Sequence, residues 1–234
     1  MSQDPTGSGG SDPSATGDQP RRAAESRWPM AIAVLMIGAL HATLPKDFTA
    51  APGWIFQVTL LICLVAQILG DPGRIDRQRP SLRLVTEVMI TIILLANAVA
   101  AVRLVIGILE NASFSQANDL LRVGGVVWVT NVLTFALLYW ELDGGGAAAR
   151  ASGTPTTHIA FVFPEHGQSD RVEPGWYPQF VDYLALSFNT AMAFSPTDVS
   201  AIRQWSKLAL MAESAISLLV ALLVIARAIN VLPT

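Results

Sequence analysis

Polar residues whose side chains can contact an ion interrupt the apolar C-terminal part of this chain. The segment Thr190-Ala191-Met192-Ala193-Phe194-Ser195 ends one apolar run, and Asp198 follows shortly after it. The last apolar run carries Glu213, Ser217 and Arg227. Ionisable residues inside a membrane segment are costly and mark candidate functional sites. Carbonyl oxygens and rings of acidic side chains line the pathways of cations, so these residues suggest contact with an inorganic cation.

This polar segment lies between a short and a long predicted helix. The run Phe180–Phe194 has about 15 residues, which is below the roughly 17–25 that cross a bilayer, whereas the run from Trp205 to Leu232 is long enough. This order is typical of a re-entrant pore helix followed by an inner helix. The constriction would then be Thr190–Ser195. Glu213, Ser217 and Arg227 fall roughly on one side of the last helix and would lie along the path.

The same residues also fit a purely structural interpretation. In Ser195-Pro196-Thr197-Asp198, the serine can cap a helix, the proline suits the first helical position and the aspartate suits the first turn. The motif therefore also fits a helical hairpin that does not conduct. Both interpretations stay open on the sequence alone.

Composition predicts an all-α integral membrane protein. Of its 234 residues, 52% are hydrophobic and only 14% are charged, and the mean hydropathy is +0.45. Soluble domains carry about 25% charged residues. Apolar runs near 28–44, 54–70, 84–109 and 122–142, together with the last one, predict about five transmembrane helices plus a short re-entrant helix before the last span.

The chain divides into four predicted regions. Its first 26 residues are polar and rich in Gly, Ser and Pro, which predicts a disordered tail. The four-helix membrane region follows over 27–142, and an extramembrane linker follows over 143–175. The run Gly144-Gly145-Gly146 predicts flexibility at the start of that linker. The pore-loop-like helix and the final span occupy 176–234.

Arginines predict the orientation in the membrane. Arg74, Arg77, Arg79 and Arg83 follow the second helix, and further arginines precede the first. We expect the protein to lie in the inner (plasma) membrane of the cell. The positive-inside rule then places its N-terminus in the cytoplasm. Four crossings return the chain to the cytoplasm at residue 143, so a pore loop would enter the membrane from the cytoplasmic side. This would change if 180–194 crosses the membrane or if one of the upstream helices fails to cross it. The side of 143–175 stays open.

Other classes of function find little support. No nucleophile–base pair or phosphate-binding loop suggests an enzyme, and the net charge of −3 without a basic patch does not suggest nucleic-acid binding. His158, Glu165, His166 and Asp170 match no standard metal spacing, so neither a metal nor a cofactor is expected. The one cysteine, Cys63, allows no disulfide within the chain.

From Phe180 onward the chain resembles the pore-loop module of the potassium-channel superfamily. Thr190 and Phe194 stand where that family has its filter threonine and tyrosine, while Ala193 and Ser195 replace both filter glycines. Glycine adopts the positive φ of such a filter cheaply and other residues do not, so potassium selectivity is not implied. Over about 28–232, the chain also resembles an uncharacterised family of bacterial multi-pass membrane proteins with a similar Thr-x-Phe and Asp region.

The leading hypothesis is an ion-channel-like cation pore of unknown selectivity. One chain supplies one pore loop, so the hypothesis requires a homo-oligomer in the lipid bilayer, and the resemblance implies a tetramer. The alternative is a non-conducting scaffold or accessory subunit, in which Thr190–Phe194 packs against the third and fourth helices. A secondary transporter would have paired broken helices, and only one is evident in the sequence.

Overall fold

The computed structural model describes residues 24–75, 79–110, 117–153, 158–168, 170, 172–192 and 198–231. Almost the whole predicted tail lies outside these ranges, as do Ala193, Phe194 and Ser195. The helices are α1 Trp28–Ala42, α2 Gly53–Gly70, α3 Pro80–Leu109, α4 Ala117–Leu142, α5 Ala147–Ala151, α6 Phe180–Met192 and α7 Gln204–Val231. The strands are β1 Glu25–Ser26, β2 Arg74–Ile75, β3 Phe161–Val162 and β4 Ser200–Ala201.

The fold is all-α, as the composition predicts. In the described part of the chain, four helices are long and apolar enough to cross a membrane: α2, α3, α4 and α7. Helix α1 is apolar but has only 15 residues, and α6 has 13. The predicted apolar runs match the helices closely, because a continuous apolar segment of this length can satisfy its backbone in lipid only as a helix.

Helix α4 is the centre of the bundle. Inside the protein, 67% of its most apolar stretch is buried, against 33% for α3 and 22% for α2 and α7. It packs against α1, α3, α6 and α7. The exposed faces of α2 and α7 carry large apolar side chains such as Leu61 and Leu222, which is the pattern of lipid-facing helices.

Two short antiparallel ribbons lie at one end of the bundle, which we call the ribbon end. Strand β1, which precedes α1, pairs with β2, which follows α2. Strand β3 pairs with β4, which precedes α7. The same end holds the start of α3, where Arg79 Nη1 donates to Gly70 O at 3.1 Å, and the end of α4. The opposite end holds the α1–α2 loop, where Arg122 Nη2 donates to Thr43 O at 2.9 Å.

Helices α6 and α7 both begin at the ribbon end and run parallel. The first backbone N–H of α6, from Phe180, donates to Glu25 Oε1 at 2.6 Å, and Trp205 at the start of α7 packs on Phe161 of β3. Further along, Ser187 contacts Glu213, and Ser214 Oγ donates to Thr190 O at 3.2 Å. Consecutive contacts therefore advance along both helices in the same direction. The chain between them returns to the end from which α6 started.

The start of the predicted linker is a buried turn rather than a flexible segment. Gly144, Gly145 and Gly146 all have positive φ, at 61°, 89° and 93°, and all are buried. Residues with a Cβ rarely adopt this backbone, so the glycine run is required by geometry. The turn leads into α5, which packs against β1 and β2 at the ribbon end. The sequence prediction was wrong here because composition does not distinguish a flexible glycine run from a tight one.

Gly124 sets the distance between α4 and α7. A Cβ at this position would lie 2.5 Å from Val224 Cγ2 of α7, whereas a Cβ at the neighbouring Gly125 would meet nothing within 4 Å. The overpacking predicts that Gly124→Ala lowers the free energy of unfolding by about 1–3 kcal/mol. Gly125→Ala is the matched control and should keep or slightly raise stability, since alanine favours a helix by about 1 kcal/mol over glycine.

The measurement is the unfolding free energy of each variant in the same detergent. The double variant Gly124→Ala, Val224→Ala should recover part of the loss, because it removes the two clashing methyl groups. Equal effects of the Gly124 and Gly125 substitutions would contradict this packing.

Candidate functional site

The candidate site is a buried polar cluster built around Glu213 in the middle of α7. The Glu213 side chain is fully buried. Its carboxyl group accepts a hydrogen bond from Tyr139 Oη of α4 at 2.6 Å, and Ser187 of α6 contacts its other oxygen. One side chain thus joins three helices. A buried carboxyl group needs such partners, because an unpaired one would be strongly destabilising in a membrane interior.

In this cluster, the hydroxyl of Ser187 faces more acceptor oxygens than it has protons to donate. Ser187 Oγ lies within hydrogen-bond distance of both Glu213 Oε1 and the Val132 carbonyl oxygen, the latter at 2.7 Å. A serine hydroxyl has one proton and can donate to only one of these acceptors. A proton on Glu213 would let the acid donate to Ser187 while Ser187 donates to Val132. The cluster can therefore hold one additional proton with every contact satisfied.

A second set of contacts continues deeper into the bundle. Asn131 of α4 donates from Nδ2 to Ser217 Oγ of α7 at 2.9 Å, and Asn97 Nδ2 of α3 donates to Asn131 Oδ1 at 2.8 Å. All three side chains are buried. Asn97 Oδ1 has no hydrogen-bond partner among the described residues. The polar contacts thus connect α3, α4, α6 and α7 through the protein interior.

Of the constriction that the sequence predicts, the structure describes Thr190, Ala191 and Met192, which form the end of α6. Thr190 is half-buried, and its hydroxyl donates to Leu186 O of its own helix at 2.8 Å. Ala191 is buried and Met192 is exposed at the end of α6. Asp198 is exposed only two residues before β4, so it belongs to the ribbon end. Ala193, Phe194 and Ser195 lie outside the described residues.

The predicted lining residues of α7 also have different surroundings. Glu213 and Ser217 face α4 and α6 of the same chain, which is the interior of the protomer. Arg227 is half-buried and lies 14 residues further on, about 21 Å along the helix. Arg103, a basic residue within the apolar α3, donates to the backbone oxygens of Asp47 and Thr49 at the opposite end and does not pair with Glu213.

At the ribbon end, Glu25 ties the N-terminal segment to α4 and α6. Its carboxylate accepts from Trp140 Nε1 at 3.0 and 3.1 Å as well as from the Phe180 backbone N–H. Burial raises the pKa of this carboxyl group above its ordinary value, and the bond from Phe180 opposes that shift. The arrangement fixes the point at which α6 enters the bundle.

Asp143 performs the same role for the following segment. Its carboxylate accepts from the Ala160 backbone N–H and from Tyr183 Oη of α6, each at 2.5 Å. Arg150 donates to the Trp140 and Asp143 backbone oxygens at 2.7 and 2.5 Å, and its guanidinium group lies 4.9 Å from the Tyr183 ring centre. These contacts hold α6 against the end of α4.

Sequence reasoning identified Glu213 but not its partners. Tyr139 and Trp140 at the end of an apolar run have the composition of a membrane-interface pair, whereas both are buried and donate to carboxylates. Ser187 was not singled out, although a serine on the apolar side of a short helix is a usable signal. In the described residues, no group of three or more His, Cys, Asp or Glu side chains could hold a metal ion.

No protein-family model, curated protein or solved structure matches this chain.

Removal of the Tyr139 hydroxyl tests the central hydrogen bond. Tyr139→Phe leaves one Glu213 oxygen without its donor, so it should lower the free energy of unfolding by about 1–3 kcal/mol. Thr134→Val is the matched control on the same helix, because the Thr134 hydroxyl donates only to Thr130 O of its own helix. Denaturant unfolding in detergent measures both variants.

Glu213→Gln provides a second comparison. Its amide can donate to Ser187 and accept from Tyr139, so it should stay within about 1 kcal/mol of the parent protein. If Glu213→Gln lowered the free energy of unfolding as much as Tyr139→Phe does, this would contradict the arrangement in which the Glu213 carboxyl group carries a proton.

Proposed function

We propose that the protein is an ion-channel-like cation pore of the pore-loop type, which acts as a homo-oligomer in the membrane. One observation carries the proposal: α6 and α7 start at the same end of the bundle and run parallel. Two consecutive membrane crossings would be antiparallel. A short helix that enters and returns is the topology of a re-entrant pore helix.

The depth of α6 supports the same proposal. Ser214, which contacts Thr190 near the end of α6, lies ten residues into α7 and hence about 15 Å from its start. Half of a typical hydrocarbon core is also about 15 Å. The α6 end therefore lies near the middle of the bilayer, where Thr190–Ser195 would form the constriction. Irregular backbone at this depth is tolerated where it lines a water-filled cavity or is buried in protein.

The proposed orientation has the ribbon end in the cytoplasm. The described part of that end carries Arg27, Arg74, Arg79, Arg83 and Arg150, and positively charged loops favour the cytoplasmic side. With α1 as a fifth crossing, α6 then enters from the cytoplasm, which is inverted relative to potassium channels. The membrane would be the inner (plasma) membrane.

A non-conducting scaffold or accessory subunit is the second candidate. It is favoured by the burial of Glu213 and Ser217 within one protomer, because side chains in that position do not line a path between subunits. The exposed face of α7 carries apolar residues such as Met211, Leu218 and Ile225. Thr190 contacts Ser214 of α7, and Ala191 lines a cavity between α4 and α7. The scaffold hypothesis expects contacts of this segment with α3 and α4, so these positions match it only in part. Conduction separates the two candidates.

Cysteine labelling tests the re-entrant topology. In a Cys63→Ala background, Gln179→Cys before α6 and Ser200→Cys before α7 should react with an impermeant thiol reagent from the same side of the membrane. Both positions are exposed at the ribbon end. Asn118→Cys, at the start of α4, is the control and should react only from the other side. Labelling of residues 179 and 200 from opposite sides would show that α6 crosses.

Bilayer recordings test conduction. The purified oligomer should give unitary cation currents, and Thr190→Ala and Phe194→Ala should change their selectivity because both substitutions fall in the proposed constriction. Thr91→Ala is the control, since its exposed hydroxyl bonds only the Glu87 backbone oxygen of its own helix. An absence of current across ions, voltages and pH, or a protein that is strictly monomeric in mild detergent, would favour the scaffold.

A further inference from the structure

A cavity of about 280 Å³ opens at the ribbon end, away from the Glu213 cluster. It lies between the end of α2, the start of α3, the end of α4 and α5. Small residues form one wall, Gly145 and Gly146 followed by three alanines of α5, and the exposed Arg79 and Pro80 bring the cavity to the surface. The volume is close to the lower limit of about 300 Å³ for small-molecule sites, so it suits a compact polar group.

Three arginines line the cavity, Arg27, Arg79 and Arg83, and we call them the arginine side. Arg27 is only 7% exposed, and its two terminal nitrogens donate to Gln67 and Asp71 at 3.3 and 3.2 Å. Its Nε is buried without a hydrogen-bond partner in the described residues. Burial also lowers the pKa of this guanidinium group. A buried donor of a charged group that lacks an acceptor is costly, and an anionic group in the cavity would stabilise the guanidinium charge.

The lining also contains two acidic side chains, Asp71, which pairs with Arg27, and Glu141. Glu141 is buried, and Arg83 Nε lies 3.9 Å from its Oε1, which is too long for a hydrogen bond. Arg83 instead donates to Glu87 at 2.8 Å. A simple anion in this cavity would meet Glu141, and a simple cation would meet the arginine side. The lining therefore fits a group that carries both a negative and a positive charge.

The surroundings place this lining at the membrane surface. On the two helix ends that form its rim, Leu69 and Leu84 are 78% and 60% exposed and would contact acyl chains. Trp28 is exposed at the same end of the bundle, as in an interfacial aromatic belt. A ligand at this position is thus within reach of a lipid whose chains remain in the bilayer.

We propose that this cavity binds the headgroup of a phospholipid that carries a primary amine. The phosphate contacts the arginine side, where guanidinium groups suit its oxygens. The primary ammonium donates to Glu141. The site would hold one lipid at the junction of α2, α3 and α4, and it is independent of whether the protein conducts.

Native mass spectrometry of the full-length protein tests this site with three lipids of identical chains. Phosphatidylethanolamine should bind roughly tenfold tighter than phosphatidylcholine, because a trimethylammonium group has no N–H to donate to Glu141. A factor of about ten is what one charge-assisted hydrogen bond contributes to affinity. Phosphatidylglycerol, which lacks the amine, should also bind more weakly. Glu141→Gln should bring the ethanolamine-to-choline ratio towards one, and Arg79→Gln should weaken all three lipids.

Arg74→Gln is the matched control, because Arg74 is exposed at the same end but does not line the cavity. Melting temperatures without lipid identify variants that fold. Equal affinity for the three lipids, or an unchanged ratio in a folded Glu141→Gln protein, would overturn the proposal. Displacement of the lipid by an equal concentration of inorganic phosphate would instead assign the cavity to a free anion and also overturn it.

Discussion

The bundle depends on the hydrogen bonds made by one carboxyl group in its interior. Glu213 has no access to water, so its oxygens must be satisfied by protein, and its hydrogen-bond partners come from two other helices. This requirement fixes the height of α6 along α7 and the rotation of α4 about its own axis. Apolar contacts alone specify such a register weakly inside a membrane, where lipid and side chains are similarly apolar. The polar contacts from Asn97 through Asn131 to Ser217 extend this constraint to α3.

The positions of the helices were largely predictable, and their packing was not. Long apolar runs identify α2, α3, α4 and α7, because backbone groups in lipid must be paired within the segment. The sequence also predicts that the run ending at Phe194 is too short to cross, and α6 is indeed short. The parallel arrangement of α6 and α7 depends on contacts between residues far apart in sequence, such as Phe161 with Trp205 and Ser187 with Glu213. No local pattern encodes them.

In the candidate site, too, some features could be predicted from the sequence and others depend on the packing. An acidic residue in an apolar run is conspicuous, so Glu213 could be selected from sequence. Tyr139 and Trp140 have the composition of an interfacial pair, and only the packing of α4 at the centre of the bundle shows that they are interior donors. The glycine run at 144–146 was misread for a related reason, since the demand for positive φ arises from the turn into α5. In each case, burial determines the role, and burial is a property of the whole fold.

The bond between Glu25 and the start of α6 links residues 155 positions apart, and this separation has a consequence for biosynthesis. Glu25 leaves the ribosome before any of the apolar helices, whereas Phe180 follows only after α1–α4. At about 5–20 residues per second, the interval is roughly 8–30 s. During that time the Glu25 carboxylate has no α6 N–H from which to accept this hydrogen bond. The contacts that α6 and α7 make with α1–α4 are therefore the last in this bundle that synthesis makes possible.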